Sequence, residues 1–144
     1  MRADDLQQLM LSDSTIQKIF GGIFPRDKLP DTLLKKPIIF IINTDHSRGN
    51  GIHWVCVYIG LNGVGEYWDS FGFDIRYKDI LTFVNKHCIR YNYNNLVLQP
   101  VFSETCGYYC YFYAKKKSIG CSLRSIQNYF RKLRPYYNDF IVLR

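Results

Sequence analysis

Cys106 is the residue whose type and setting most directly permit covalent chemistry. Residues 106–114 read Cys-Gly-Tyr-Tyr-Cys-Tyr-Phe-Tyr-Ala, and Lys115, Lys116 and Lys117 follow. An apolar run ended by cations predicts a helix buried on all sides, with Thr105 as its N-cap and the lysines at the negative end of its dipole. Cys106 then stands in the first turn. There the unpaired N–H groups and the dipole favour the thiolate, the nucleophilic form. Gln99 precedes Pro100, which disfavours helical backbone, so the approach to the helix is expected to be extended. A glutamine amide at that place can donate to an oxyanion beside the Cys106 N–H.

A base and an acid to orient it lie upstream. Residues 52–59 read as a strand on which His53, Val55, Val57 and Ile59 share a face, and residues 64–69 read as its hairpin partner. If His53 lies opposite Asp69, the pairing centre falls at Leu61 and the two Cβ atoms come roughly 5 Å apart. Asp69 then accepts the Nδ1 proton of His53 and leaves Nε2 to take a proton from a thiol. A tight two-residue turn at Asn62-Gly63 would put the pair on opposite faces. The expectation is therefore a longer loop or a correcting bulge.

Each residue taken singly has an ordinary explanation. A free Cys is commonly a small buried hydrophobe, and Glu104 nearby disfavours a thiolate. His53 reads equally as a core histidine, and Asp69 as a turn former before Ser70 and Gly72. The ordered combination is more specific. His53-Trp54, then Trp68-Asp69-Ser70-Phe71-Gly72, then Gln99, then Cys106-Gly107-Tyr108-Tyr109-Cys110 resembles the adenovirus-type cysteine endopeptidases, the adenain family. Gln99 stands seven residues before Cys106, as in that family, and the likeness covers residues 20–115. The same order occurs in ubiquitin-like-modifier proteases. Asp69 departs from adenain, which has Glu there, and the chain runs on for a shorter distance after the nucleophile.

The resemblance implies an α+β domain in which an antiparallel sheet packs on a central buried helix carrying the nucleophile at its N-terminus. It implies Cys106 as nucleophile, His53 as base and then acid, Asp69 as its orienter and Gln99 as an oxyanion donor. Substrates would be viral structural precursors cut near small residues such as glycine, in a virus or a virus-like mobile element. The family also implies an activating peptide tethered through a cysteine, for which Cys88 has a similar spacing before Gln99, and DNA as a cofactor. Two other readings stay open: a modifier-specific protease, and a non-enzymatic basic module on the same fold.

The whole chain sets bounds on these readings. Its 144 residues fit one domain, and 47% hydrophobic with 17% aromatic content is enough to build a core. Five cysteines, no apolar leader in residues 1–5 and no run of membrane-spanning length lead us to expect reduced thiols in cytosol, nucleus or virion. His46, His53 and His87 show no metal spacing with the cysteines, so no metal is expected. The net charge of +7 and the cluster of Lys115–117 with Arg124, Arg131, Lys132 and Arg134 lead to an expectation of weak, nonspecific nucleic-acid binding, although such a face is often merely solvated. A monomer acting on polypeptide, without membrane contact, is expected.

The remaining elements follow from periodicity. Leu6, Leu9 and Met10, then Ile16, Ile19 and Phe20, suggest two short helices, the second capped by Asp13 or Ser14 and ended by Gly21-Gly22, with a loop from Phe24-Pro25. Residues 37–42 read as a buried strand. Tyr77, Ile80, Leu81, Val84 and Cys88 form the apolar stripe of a helix that Asp74 could cap, and Cys88 completes that stripe as core. Residues 91–95 read as a turn. Leu123, Ile126, Phe130 and Leu133 mark a last helix capped by Ser122 and ended near Pro135, and residues 139–144 form an unassigned tail.

Overall fold

A computed structural model describes residues 1–49, 53–100, 103–130 and 135–143. Among the described residues five strands form one sheet in chain order: β1 (Phe20–Pro25), β2 (Ile38–Asn43), β3 (Trp54–Ile59), β4 (Val64–Trp68) and β5 (Arg90–Tyr93). The three central strands pair antiparallel, as expected, whereas both outer pairs, β1 with β2 and β4 with β5, run parallel. The α+β architecture stands, and its sheet is mixed.

The sheet is covered on both faces, which is why β2 is an unbroken Ile/Phe run rather than an alternating one. Ile38, Phe40 and Ile42 pack with Val55, Val57, Ile59 and Tyr67 against Ile80, Phe83 and Val84 of α3 (Lys78–His87). Ile39, Ile41, Trp54, Cys56 and Trp68 pack on the other side, against Tyr109, Cys110 and Tyr113 of α4 (Cys106–Ser118). Burial of α4 is extensive but not complete, since Tyr108 is exposed. The far half of α4 is fixed to β4. Tyr113 stacks on Trp68 with ring centroids 4.7 Å apart, and its hydroxyl donates to Glu66 Oε1 at 2.6 Å. Lys117 Nζ meets Glu66 Oε2 at 3.2 Å and lies over the Tyr58 ring. These contacts set where the first turn of α4, with Cys106, meets the sheet.

Several expectations are corrected. The helical stripe through Phe20 ends earlier, in α2 (Ser14–Gln17), which Asp13 caps by accepting from the Thr15 and Ile16 N–H groups. Gly21 and Gly22 lie within β1, not at a helix end. A Cβ on Gly21 would come within 2.6 Å of the Phe40 ring, so the glycine lets β1 lie close to β2. Residues 90–93 form an edge strand, not a turn. Asp74 does not cap α3, because its carboxylate accepts from Tyr91 OH and the Ile75 N–H instead. Thr105 makes no side-chain capping bond. Ser122 does cap α5 (Leu123–Asn128), but Leu133 lies outside the described residues. Pro135 opens a further helix, α6 (Pro135–Val142), where its fixed φ suits the first helical position. A first helix, α1 (Ala3–Leu11), buries Leu6 and Met10 against the α4 layer.

Candidate active site

The β3–β4 hairpin brings His53 and Asp69 together. Its loop is Leu61-Asn62-Gly63, closed by Gly60 N–H to the Val64 carbonyl at 3.0 Å, with Gly63 at φ +80°. Cys56 pairs with Trp68 and Ile59 with Gly65, so the pairing centre is Asn62, not Leu61. The shift amounts to two residues along the partner strand, which keeps both side chains on one face. His53 stands just before β3, its carbonyl bonded by Thr44 N–H at 2.9 Å, and Asp69 just after β4. They meet across a diagonal rather than directly, within reach of a ring and a carboxylate.

His53 Nε2 lies 2.8 Å from Asp69 Oδ1, and the ring also interacts with the Cys106 thiol. The expected ring orientation is therefore reversed: Nε2 takes the acid, and Nδ1 is the nitrogen left for the thiol. Phe71 stacks on the imidazole at 4.8 Å and donates its N–H to Asp69 Oδ1 at 2.9 Å, fixing both partners. Burial opposes a charge on His53, but the bonds to Asp69 and then Cys106 outweigh it and raise the ring to about 9. Burial also opposes a thiolate at Cys106. The bond to His53 and its charge prevail, and the thiol sits below its ordinary range. The pair is thus biased towards thiolate and imidazolium.

Gln99 reaches the same place. It is buried, and its Oε1 accepts from Ser70 Oγ at 2.5 Å while Nε2 donates to the Ser103 carbonyl at 2.8 Å. The Ser103 carbonyl can only accept, which fixes which end of the amide faces it. An amide nitrogen carries two N–H groups, so one remains for another acceptor. A groove of about 790 Å³ is lined by Cys106, His53 and Gln99 together with Trp54, Phe71 and Glu104. Trp54 packs with the α4 cluster and also borders the groove, its indole N–H donating to the Met1 carbonyl at 3.0 Å.

Cys88 and Arg124, two of the residues matched to cofactors, do not line the groove. Cys88 is the C-cap of α3, half-buried, with a thiol that burial pushes up; a Cβ on Gly65 would meet its Sγ at 2.6 Å. That is packing, as the helical period indicates. Lys115 pairs with Asp13 at 2.8 Å and Lys117 with Glu66, so two of the three helix-end lysines are neutralised within the chain. Arg124 is exposed on α5, and Arg131 and Lys132 lie outside the described residues. Among the described residues no group of three potential ligands could hold a metal, and no helix is long and apolar enough to cross a membrane.

Sequence reasoning passed over Ser70, Phe71, Asn94 and Asp139. Asn94 is buried and donates to the Asp69 carbonyl at 2.8 Å, holding the turn after β4. Only Phe71, two residues beyond the acid, carried a positional hint.

No family model and no curated protein matches the chain. Among solved structures, two crystal structures of the ASFV pS273R protease match. The first, of selenomethionine protein, is 22% identical with a TM-score of 0.51 and covers 69% of this chain and 40% of that one. For the second, the values are 20% identity, 0.51, and 62% of this chain and 36% of that one. The chain shares that fold. It spans about two fifths of the length of the structures it matches.

Proposed function

We propose that the chain is a cysteine endopeptidase. The observation that carries this reading is the Asp69–His53 hydrogen bond with Cys106 beside the same ring, all three lining one groove. The Cys106 thiolate attacks the scissile carbonyl. The oxyanion is met by the Cys106 N–H and the second N–H of Gln99. The Nδ1 proton of His53 passes to the leaving nitrogen, the C–N bond breaks, and a thioester remains on Cys106. Water then gives a proton to Nδ1 and attacks the thioester. Collapse releases the acid and restores the thiolate beside the imidazolium. Asp69 holds the ring throughout.

The likeness to the ASFV pS273R protease supports a protease of viral type; substrates that are polypeptide precursors, cut beside small residues such as glycine, are what the resemblance of the motif order to the adenain family implies. The test is hydrolysis of a fluorogenic peptide with glycine at the cut. Cys106→Ala is expected to abolish it, whereas Cys56→Ala and Cys121→Ala retain it. Wild-type rates in the Cys106 variant would overturn the reading. Cleavage of a ubiquitin-like conjugate with no cleavage of the peptide would move the chain to the modifier proteases.

A further inference from the structure

We infer that Asp139 of α6 is a positioning residue for the oxyanion side of this site, holding the segment that carries both proposed donors. The inference rests on the cysteine-protease reading. Asp139 Oδ2 accepts from Ser103 Oγ at 2.8 Å, and Oδ1 accepts from Thr105 Oγ1 at 2.9 Å and Tyr109 OH at 2.8 Å. The Ser103 and Thr105 hydroxyl oxygens also lie against each other.

The placement of these donors gives the carboxylate its role. Ser103 supplies the carbonyl that anchors Gln99 Nε2, and Thr105 immediately precedes Cys106, whose N–H is the other donor. Thr105 occupies the N-cap position of α4 yet makes no capping bond, because its hydroxyl is turned to Asp139. The residue before Gln99 is held from the same helix. Asn138 Nδ2 donates to the Leu98 carbonyl at 3.0 Å, and Tyr109 OH lies 3.2 Å from that oxygen. One turn of α6 therefore grips the chain on both sides of Pro100. A carboxylate can accept all three hydroxyls at once, which an aliphatic side chain cannot.

Asp139 touches neither Cys106 nor His53, so its loss should spare the thiolate and impair only the step that needs oxyanion donors. The experiment compares two reactions of one protein. Hydrolysis of the fluorogenic glycine peptide needs the donors; alkylation of Cys106 by iodoacetamide, followed by mass spectrometry, needs only the thiolate. For Asp139→Ala, kcat should fall by about 10²-fold, the order of losing one oxyanion donor, with KM and the alkylation rate unchanged. Asp139→Asn, which keeps one acceptor oxygen, should recover part of kcat. Thr105→Val, nearly equal in volume, should show the same split without disturbing α6, which covers the case of an Asp139 variant that fails to fold. Unchanged kcat in Asp139→Ala, or alkylation falling in step with kcat in both Asp139→Ala and Thr105→Val, overturns the inference alone. A wild-type chain that alkylates at Cys106 but cuts no peptide overturns the protease reading and this inference with it.

Discussion

The His53 ring is held by an acid on Nε2 and an aromatic face against its plane, with the Cys106 thiol beside it, and this sets a pH window. The competent pair is thiolate with imidazolium. It is populated above the lowered pKa of Cys106 and below the raised pKa of His53, so kcat/KM should fall as pH rises through about 9. Asp69 is the strongest contributor raising the ring, so Asp69→Asn should move the basic limb to lower pH as well as reduce the rate. A pH–rate profile with an unmoved basic limb in that variant would deny Asp69 its role. Gln99→Ala should cost about 10²–10³ in kcat. Ser70→Ala, which frees the amide oxygen, should cost less in the same assay, and equal or greater loss would point to Ser70 acting by itself. At this scale the sequence pointed to four residues that line one groove, because type and order carry that. It could not reveal which ring nitrogen faces the acid, since that depends on a diagonal approach of a few ångströms. Nor could it reveal Ser70 or Asn94, buried polar side chains whose partners are distant carbonyls and amides.

Among the elements, the β3–β4 hairpin shows why a register estimate can be wrong and still useful. The centre moved from Leu61 to Asn62, but a two-residue shift preserves the face, so His53 and Asp69 still converge. Gly63, in the left-handed region, faces open space apart from the Ile89 side chain. Gly63→Ala should cost about 1–2 kcal/mol of stability in denaturant melts and leave kcat/KM intact. Gly72 also has φ +80°, but a Cβ there would press on the Leu96 backbone at 2.8 Å, in the turn that carries Asp69. Gly72→Ala should therefore lower stability and activity together; equal activity in the two variants would contradict the hairpin account. Elements whose partners lie far along the chain were the least legible. Gly21-Gly22 is a reasonable helix stop in isolation, and only the approach of β1 to β2 makes it strand. The edge strand β5 has no apolar alternation to announce it.

In the whole molecule, α4 is the beam between sheet and site, anchored electrostatically at its far end and carrying Cys106 in its first turn. Lys117 and Glu66 are nearly buried, and Tyr113 shares the same carboxylate. Removing one partner of a buried pair leaves an uncompensated charge, so Glu66→Gln should destabilise the chain by about 3–5 kcal/mol while the Cys106 alkylation rate stays at the wild-type value in the folded protein. A net charge of +7 suggested a basic face, but formal charge cannot show that Lys115 and Lys117 are answered by Asp13 and Glu66. The tail after Pro135 was unreadable for a similar reason: the weight of Asp139 lies in hydroxyls 30 or more residues away. The central claim is that Cys106 carries the acyl group during turnover. Acid-quenching the chain during hydrolysis of a glycine peptide ester, followed by peptide mapping, should find the acyl mass on the fragment containing Cys106 and none in Cys106→Ala. Turnover with no adduct on Cys106, or with the adduct on another cysteine, would contradict it.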